Sequence, residues 1–405
     1  MGGGMDRREF LQHLAALGAC SAAAYPALTT VTLADTGGAA PLGEKRLIVI
    51  ILRGAMDGLD VVQPIADPLF AQYRPSIGVA TGAIPLDGYF GLHPALGGLK
   101  PLWDAGELGF VHAVSTPYRD KRSHFDGQDL LEAGTGSDVL LGQAQRDGWM
   151  NRMLQVVPGL RAETAYAIGQ EAAPMLAGLA PVMHWSPEMR LNLSPQSKLL
   201  LEKLYQNDPL FRESATEAMS IADAAARSGS GMDGGEQGKF GDIDALADFA
   251  SSRMREQTRI AAFSLSGWDT HRTQITSIKG ALQRLERLIL RLREQMGPQV
   301  WANTVLLTMT EFGRTVRENG SRGTDHGTGG LMLTAGGAAR GGKVLGRWPG
   351  LDEADLYDRR DLMPTSDVRD WAAWSMRGLY GIDQNLLETI VFPGLIMGDD
   401  PGLIL

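Results

Sequence analysis

Arg46-Leu47-Ile48-Val49-Ile50-Ile51-Leu52 runs directly into Arg53-Gly54-Ala55-Met56-Asp57-Gly58. The first stretch is short, apolar and rich in β-branched side chains. With no polar alternation, it reads as a strand covered on both faces, the environment of a parallel sheet. The glycine-bearing hexapeptide after it reads as a loop.

The pattern repeats downstream. Residues 94–105 have helical spacing with Pro94 in the first turn. Glu107 to Val114 reads as a second strand, and Ser123 to Ala133 as a helix. Ile243 to Arg255 is a helix, Ile260 to Leu265 a strand. Ile278, Leu282, Leu285, Leu288, Ile289 and Leu292 mark one face of a long helix. Asn303 to Met309 and Leu331 to Thr334 are further strands. A last helix spans Val368 to Leu379, capped by Ser366 or Asp367. Strands alternating with helices predict an α/β layered fold with a mostly parallel central sheet.

Two stretches interrupt that order. Residues about 140–226 read as a helical insertion, with a helical pair over Ser194 to Met219. Residues 228–241 are Gly-rich and read as a flexible loop. The expected organisation is therefore a segment 1–40, then one α/β domain over 41–405 that carries both interruptions.

The first forty residues read as an address. Asp6-Arg7-Arg8-Glu9-Phe10-Leu11 precedes an Ala-rich apolar run from Leu14 to Leu28, the pattern of a twin-arginine export signal. Thr32-Leu33-Ala34 offers a cleavage site. Leu17-Gly18-Ala19-Cys20 offers an alternative, a lipid attached at Cys20. The run falls short of the ~20 strongly apolar residues of a membrane span. The expected place is the periplasm or beyond, reached through the twin-arginine export machinery. Membrane contact is expected only through the signal or the lipid.

Composition narrows the chemistry. The chain has 405 residues, 44% hydrophobic, with a formal net charge of −9. That balance provides no basic stripe for a nucleic acid. One cysteine excludes an intramolecular disulfide and any cysteine-built zinc site. A metal would need histidines and carboxylates, and there are seven histidines.

Four polar clusters lie at strand ends or in a loop leading to the next strand: Asp57, then Asp269 with His271, then Glu311, then Asp325 with His326. Ligands of open parallel sheets bind outside the carboxyl ends of the strands. Such a set suits one or two divalent ions: zinc, manganese, calcium or magnesium. Asp-x-His puts both side chains on one side of an extended segment, whereas neighbours such as Asp325 and His326 point apart. His326 is therefore favoured over Asp325. Ser123 opens a helix, where it can act as nucleophile, as N-cap over Asp126, or as both. Arg119, Lys121 and Arg122 make that loop basic, which suits an anionic substrate. His93, His112 and His184 read as structural.

The stretches Leu52-Arg53-Gly54-Ala55-Met56-Asp57-Gly58-Leu59, Arg122-Ser123-His124-Phe125, Gly267-Trp268-Asp269-Thr270-His271, Thr310-Glu311-Phe312-Gly313-Arg314 and Asp325-His326-Gly327 together resemble the family known as domain of unknown function 1501. That family lies in the alkaline phosphatase and sulfatase superfamily. The resemblance spans roughly residues 45–395. It implies a two-metal hydrolase of phosphate or sulfate esters acting on a small anionic substrate. On this resemblance Asp57, Asp269, His271, Glu311, Asp325 and His326 hold metal. Ser123 and His124 are catalytic, and Arg122 and Arg314 bind substrate. The chain departs from the superfamily pattern at Phe312, where a His ligand would stand, and His124 is the candidate to replace it. Its Asp-x-His spacing is also shorter than the Asp-x-x-x-His of alkaline phosphatases. These departures leave a rival: a secreted binding or assembly protein that retains the fold without catalysis. A metal-free hydrolase is disfavoured, since no Gly-x-Ser-x-Gly elbow follows a strand.

Overall fold

The decisive run is strand β1 (Arg46–Arg53), and every side chain from Leu47 to Leu52 is 0% exposed. The computed structural model describes residues 42–78, 82–119, 121–136, 147–169, 171, 173–187 and 240–405. The proposed export segment, the 194–219 helical pair and the Gly-rich loop up to residue 239 lie outside the described residues.

Eight further strands join β1 in one sheet. They are β2 (Leu108–Ser115), β3 (Ala165–Ile168), β4 (Met183–Trp185), β5 (Ile260–Ser266), β6 (Thr304–Met309), β7 (Gly330–Ala335), β8 (Val344–Leu345) and β9 (Ser366–Asp367). The order is β8-β2-β7-β6-β1-β5-β3-β4, with β9 also paired to β2. β1 is parallel to both β5 and β6, and β3 is parallel to β4 and β5. Only β7 runs against its neighbours β2 and β6. The fold is thus mixed α/β with a mostly parallel central sheet between helices.

Alternation along β1 explains why it has no polar face. Ile48, Ile50 and Leu52 pack under helices α3 (Gly241–Met254) and α4 (Gln274–Trp301). Leu47, Val49 and Ile51 pack against α2 (Trp149–Val156) and α5 (Val368–Tyr380) on the other face. Residues 94–105 form a 3-10 turn followed by a short α-helix, rather than one helix. α5 is capped by the Asp367 side chain, which accepts from the Arg369 N–H at 2.9 Å.

One expectation is corrected. The stretch read as a helical insertion contains β3 and β4, which extend the sheet beyond β5. Ala165-Tyr166-Ala167-Ile168 is apolar but alanine-rich, and alanine favours strands poorly. Parallel pairing to β5, not intrinsic preference, makes it a strand.

The topology gathers the loops. Parallel strands β1, β2, β5 and β6 all end at one edge of the sheet. β7 runs the other way, so the loop that leads into it, residues 323–329, arrives at that same edge. All the loops that carry the polar clusters therefore meet there.

Because Ile50 has no exposed surface, Ile50→Ala should lower the unfolding free energy by about 2–5 kcal/mol, the range for truncating a buried aliphatic side chain. Urea titration measures it. A cost below about 1 kcal/mol would contradict the two-sided burial of β1.

Candidate metal centre

Three histidine rings and one carboxylate meet at this edge. His271 Nε2 lies 3.1 Å from Asp269 Oδ1, His326 Nε2 3.4 Å and His124 Nε2 3.5 Å. His271 Nε2 and His326 Nε2 are 3.0 Å apart. His124, Asp269 and His326 each offer a ligand atom within 4.8 Å of the others. A tetrahedral ion with bonds of ~2.0–2.1 Å separates its ligands by about 3.3–3.4 Å, close to the spacing of His124 and His326 from Asp269, so these three fit a single ion with His271 beside them.

The far side of each ring settles which nitrogen faces inward. His124 Nδ1 bonds Glu311 Oε1 at 2.7 Å. His271 Nδ1 bonds Asp325 Oδ1 at 3.1 Å, and His326 Nδ1 bonds the Arg122 carbonyl at 2.8 Å. All three partners only accept, so each Nδ1 carries a proton and each ring turns its Nε2 inward. This is the arrangement by which outer partners orient metal-ligating histidines. His124 Nε2 is buried and has no hydrogen-bond partner. Among these four inward atoms the one donor is Arg314, whose Nη2 reaches Asp269 Oδ1 at 2.6 Å. A cluster of acceptors with so few donors fits a cation.

The charges are set in the same sense. Burial opposes ionisation of Asp269, but the Arg314 hydrogen bond and charge, with His271 and His124, outweigh it and hold the carboxyl below its usual range. Burial likewise opposes ionisation of Glu311, and bonds from His124, Gln128 and Gly54 overcome it. His326 is pushed down chiefly by burial, which favours its neutral form. His124 is raised by its bond to Glu311. A bound cation would have to displace that proton.

The structure sorts the residues differently from the sequence. Glu311 does not face the cluster. Its Oε1 accepts from Gly54 N at 2.9 Å, Gln128 Nε2 at 3.0 Å and His124, while Oε2 takes the Thr310 hydroxyl at 3.1 Å. It orients His124. Asp325 similarly orients His271 and is itself held by Asn319 Nδ2 at 3.1 Å. Arg314 is fully buried and spends its donors on Ala55, Gly54, Thr324 and Trp268 carbonyls besides Asp269. A small substrate cannot reach it. His124, expected to be catalytic or to replace the ligand absent at Phe312, turns its Nε2 into the cluster. Ser123 is the N-cap of α1 (His124–Ala133), its Oγ accepting from Asp126 N at 3.4 Å. Phe312, in the position of the missing histidine, stacks on the His124 ring at 5.2 Å. Of the histidines read as structural, His112 is buried and bonds the Val62 carbonyl, and burial lowers its pKa to about 4. His93 is buried and caps a turn through Ala95 N, and His184 is an exposed residue of β4.

Asp57 is the largest departure. It is sealed beneath the loops, 1% exposed, in a pair with Arg74 at 2.7 Å. Gln274 Nε2 bridges it to the buried Asp60, at 2.6 and 2.9 Å. Nothing in residues 53–58 announces a partner at 74 or 274.

Backbone strain collects at the same edge. Non-glycine residues with positive φ, among the described residues, are Ala55, Ala113, Arg122, Thr273, Arg322, Asp358 and Arg359. Each costs on the order of 1 kcal/mol, and all lie near strand ends or on loops of this edge. Two glycines let those loops touch. A Cβ on Gly54 (φ +117°) would sit 2.6 Å from Asp269 N, and one on Gly313 would strike the Gly329 carbonyl.

Two outcomes follow for the buried acids. Arg74→Met should cost about 3–5 kcal/mol in chemical denaturation, since it strands a buried carboxylate. Asp57→Asn should leave bound divalent metal, read by elemental analysis, unchanged; loss of metal would restore Asp57 as a ligand. Burial and the Asp57 charge push the Asp60 carboxyl up to about 7. Its unfolded value is about 3.9, so between these values the folded state binds more protons and stability falls as pH rises. Asp60→Asn should flatten that decline in urea titrations across the interval; an unchanged slope would assign it elsewhere.

No curated protein matches the chain. Among solved structures it is similar to an alkaline phosphatase superfamily protein from Vibrio parahaemolyticus, at 14% identity and TM-score 0.38, covering 89% of this chain and 73% of that one. The lipoteichoic acid synthase LtaP of Listeria monocytogenes aligns at 10% identity and TM-score 0.37, covering 89% and 76%. Alkaline phosphatase from the Antarctic bacterium TAB5 aligns at 10% identity and TM-score 0.34, covering 74% and 92%. The model of the family described as protein of unknown function (DUF1501) matches residues 112–385, from within β2 to just past α5. The chain belongs to that family.

Proposed function

We propose that this protein is an exported, metal-dependent hydrolase of phosphate or sulfate esters. The observation that carries the reading is the set of three Nε2 lone pairs and one carboxylate, each ring fixed from behind by an acceptor. His124, Asp269, His271 and His326 would hold one divalent ion. Three imidazoles and one carboxylate suit zinc or manganese better than calcium or magnesium, which take oxygen ligands. Bound there, the ion supplies Lewis-acid polarisation of an ester oxygen and lowers the pKa of a nearby nucleophile.

The protein's own groups do the rest. Ser123 adjoins His124 at the N-terminus of α1, where backbone N–H groups favour negative charge. Its cap contact with Asp126 N is long, 3.4 Å, and Tyr118 lies against the same hydroxyl. Phe312 covers one face of His124 and keeps water off it. Arg122 stands at the rim beside His326, with its side chain 36% exposed. The Arg7-Arg8 pattern supports export to the periplasm, with Cys20 as a point of lipid attachment. No helix among the described residues is long and apolar enough to cross a membrane.

A second reading, a binding or assembly protein on the same fold, is favoured by one observation. Asp57, the carboxylate after the first strand, is locked to Arg74, so a second ion loses its ligand there.

Purified full-length protein should carry one equivalent of divalent ion and release phosphate or sulfate from aryl esters. His326→Ala should lose both. Ser123→Ala should keep the ion and lose roughly 10²-fold or more in turnover, as expected for a missing nucleophile. Stoichiometric metal with no turnover on phosphate monoesters, diesters or sulfates would give the second reading the site.

A further inference from the structure

His326 is bracketed by two arginines that share one buried acid. Asp361 has no exposed side-chain surface. Its Oδ1 accepts from Arg360 Nη1 at 2.8 Å, and its Oδ2 from the Thr328 hydroxyl at 2.9 Å, with Arg122 Nη2 at 3.5 Å. The same two arginines grip His326 from both sides: Arg122 through its carbonyl at 2.8 Å, and Arg360 through a 3.0 Å bond to the His326 carbonyl. Both arginine side chains are 36% exposed.

Two permanent cations lie beside the buried Asp361, and Arg360 also acts on the half-buried Asp325, which His271 and Asn319 hold in place. Lys121, next to Arg122 in the chain, is exposed and adds a third cation. The backbone is held in place at cost, with φ of 52° at Arg122 and 54° at Arg359. Fixed guanidiniums with free edges recognise planar or tetrahedral oxyanions through paired N–H bonds. In a chain of net charge −9 such a patch is local, and it adjoins the histidine cluster through His326.

We propose that Arg122 and Arg360, seated on Asp361, form a subsite for a second anionic group of the substrate. The substrate class is then an ester bearing two or more phosphate, sulfate or carboxylate groups, rather than a simple monoester. This rests on the hydrolase reading above and narrows it.

The test uses zinc-loaded full-length protein and two inert probes, benzenesulfonate and benzene-1,3-disulfonate, with binding measured by calorimetry. The disulfonate should bind about tenfold more tightly or better, as an added charge-assisted pair permits. Arg360→Gln should shrink that gap to about threefold or less and leave the monosulfonate within about twofold. Arg360→Lys, which keeps the charge without the fork, should fall between. Matching thermal melting curves exclude misfolding. A native protein with no preference for the disulfonate overturns the subsite. So does Arg360→Gln weakening both probes equally, which would place Arg360 on the reacting group instead. If neither probe binds, the hydrolase site itself fails, and the subsite with it.

Discussion

Arg314 holds the functional edge of this molecule together. Its guanidinium is entirely buried, and arginine cannot shed its charge to ease the cost of burial. Every donor must therefore find an acceptor, and the acceptors it finds belong to different loops. Gly54 and Ala55 supply carbonyls at the end of β1, Trp268 and Asp269 supply groups after β5, and Thr324 supplies one before β7. The loops cannot separate without stranding a charge in the interior. Arg314 also fixes the one carboxylate oxygen around which the histidines gather.

That constraint gives the site its layered logic. Inward-facing atoms are acceptors, and behind them stand acceptors again, with ring protons between. Glu311 and Asp325 act as backing for His124 and His271 rather than as ligands. A carboxylate behind a histidine raises the basicity of the nitrogen in front, so the outer layer tunes the inner one. The loops pass close enough for this only because Gly54 and Gly313 lack a Cβ where backbones cross.

Much of the fold was legible along the chain. Long apolar runs and helical spacing depend on residues near in sequence, and β1, β2, β5, β6, α1 and α4 lie where that spacing put them. β3 and β4 were not legible, because an alanine-rich strand depends on the neighbour it pairs with. The site was half legible. His271, His326 and Asp269 stand out as polar residues after strands. His124 was visible only through the resemblance, as a catalytic neighbour of Ser123 or a replacement for the ligand absent at Phe312, since a histidine on the first turn of a helix reads equally as surface. The sharing of roles between Asp57, Glu311 and Asp325 could not be read, since each is decided by a partner far along the chain.

By itself the sequence determined the alternation of strands and helices, the lack of an intramolecular disulfide or a cysteine-built metal site, and the small set of histidines and acids able to hold an ion. Those properties follow from local composition and periodicity. Only the tertiary structure decided which acid faces the histidine cluster, which stands behind a histidine, and which is sealed away. A carboxylate turns toward whichever donor removes it from water at least cost. For Asp57 that donor is Arg74, for Glu311 it is His124 with the Gly54 amide, and for Asp361 it is Arg360 with Thr328. Most of those donors are brought into reach only when the strands are laid side by side.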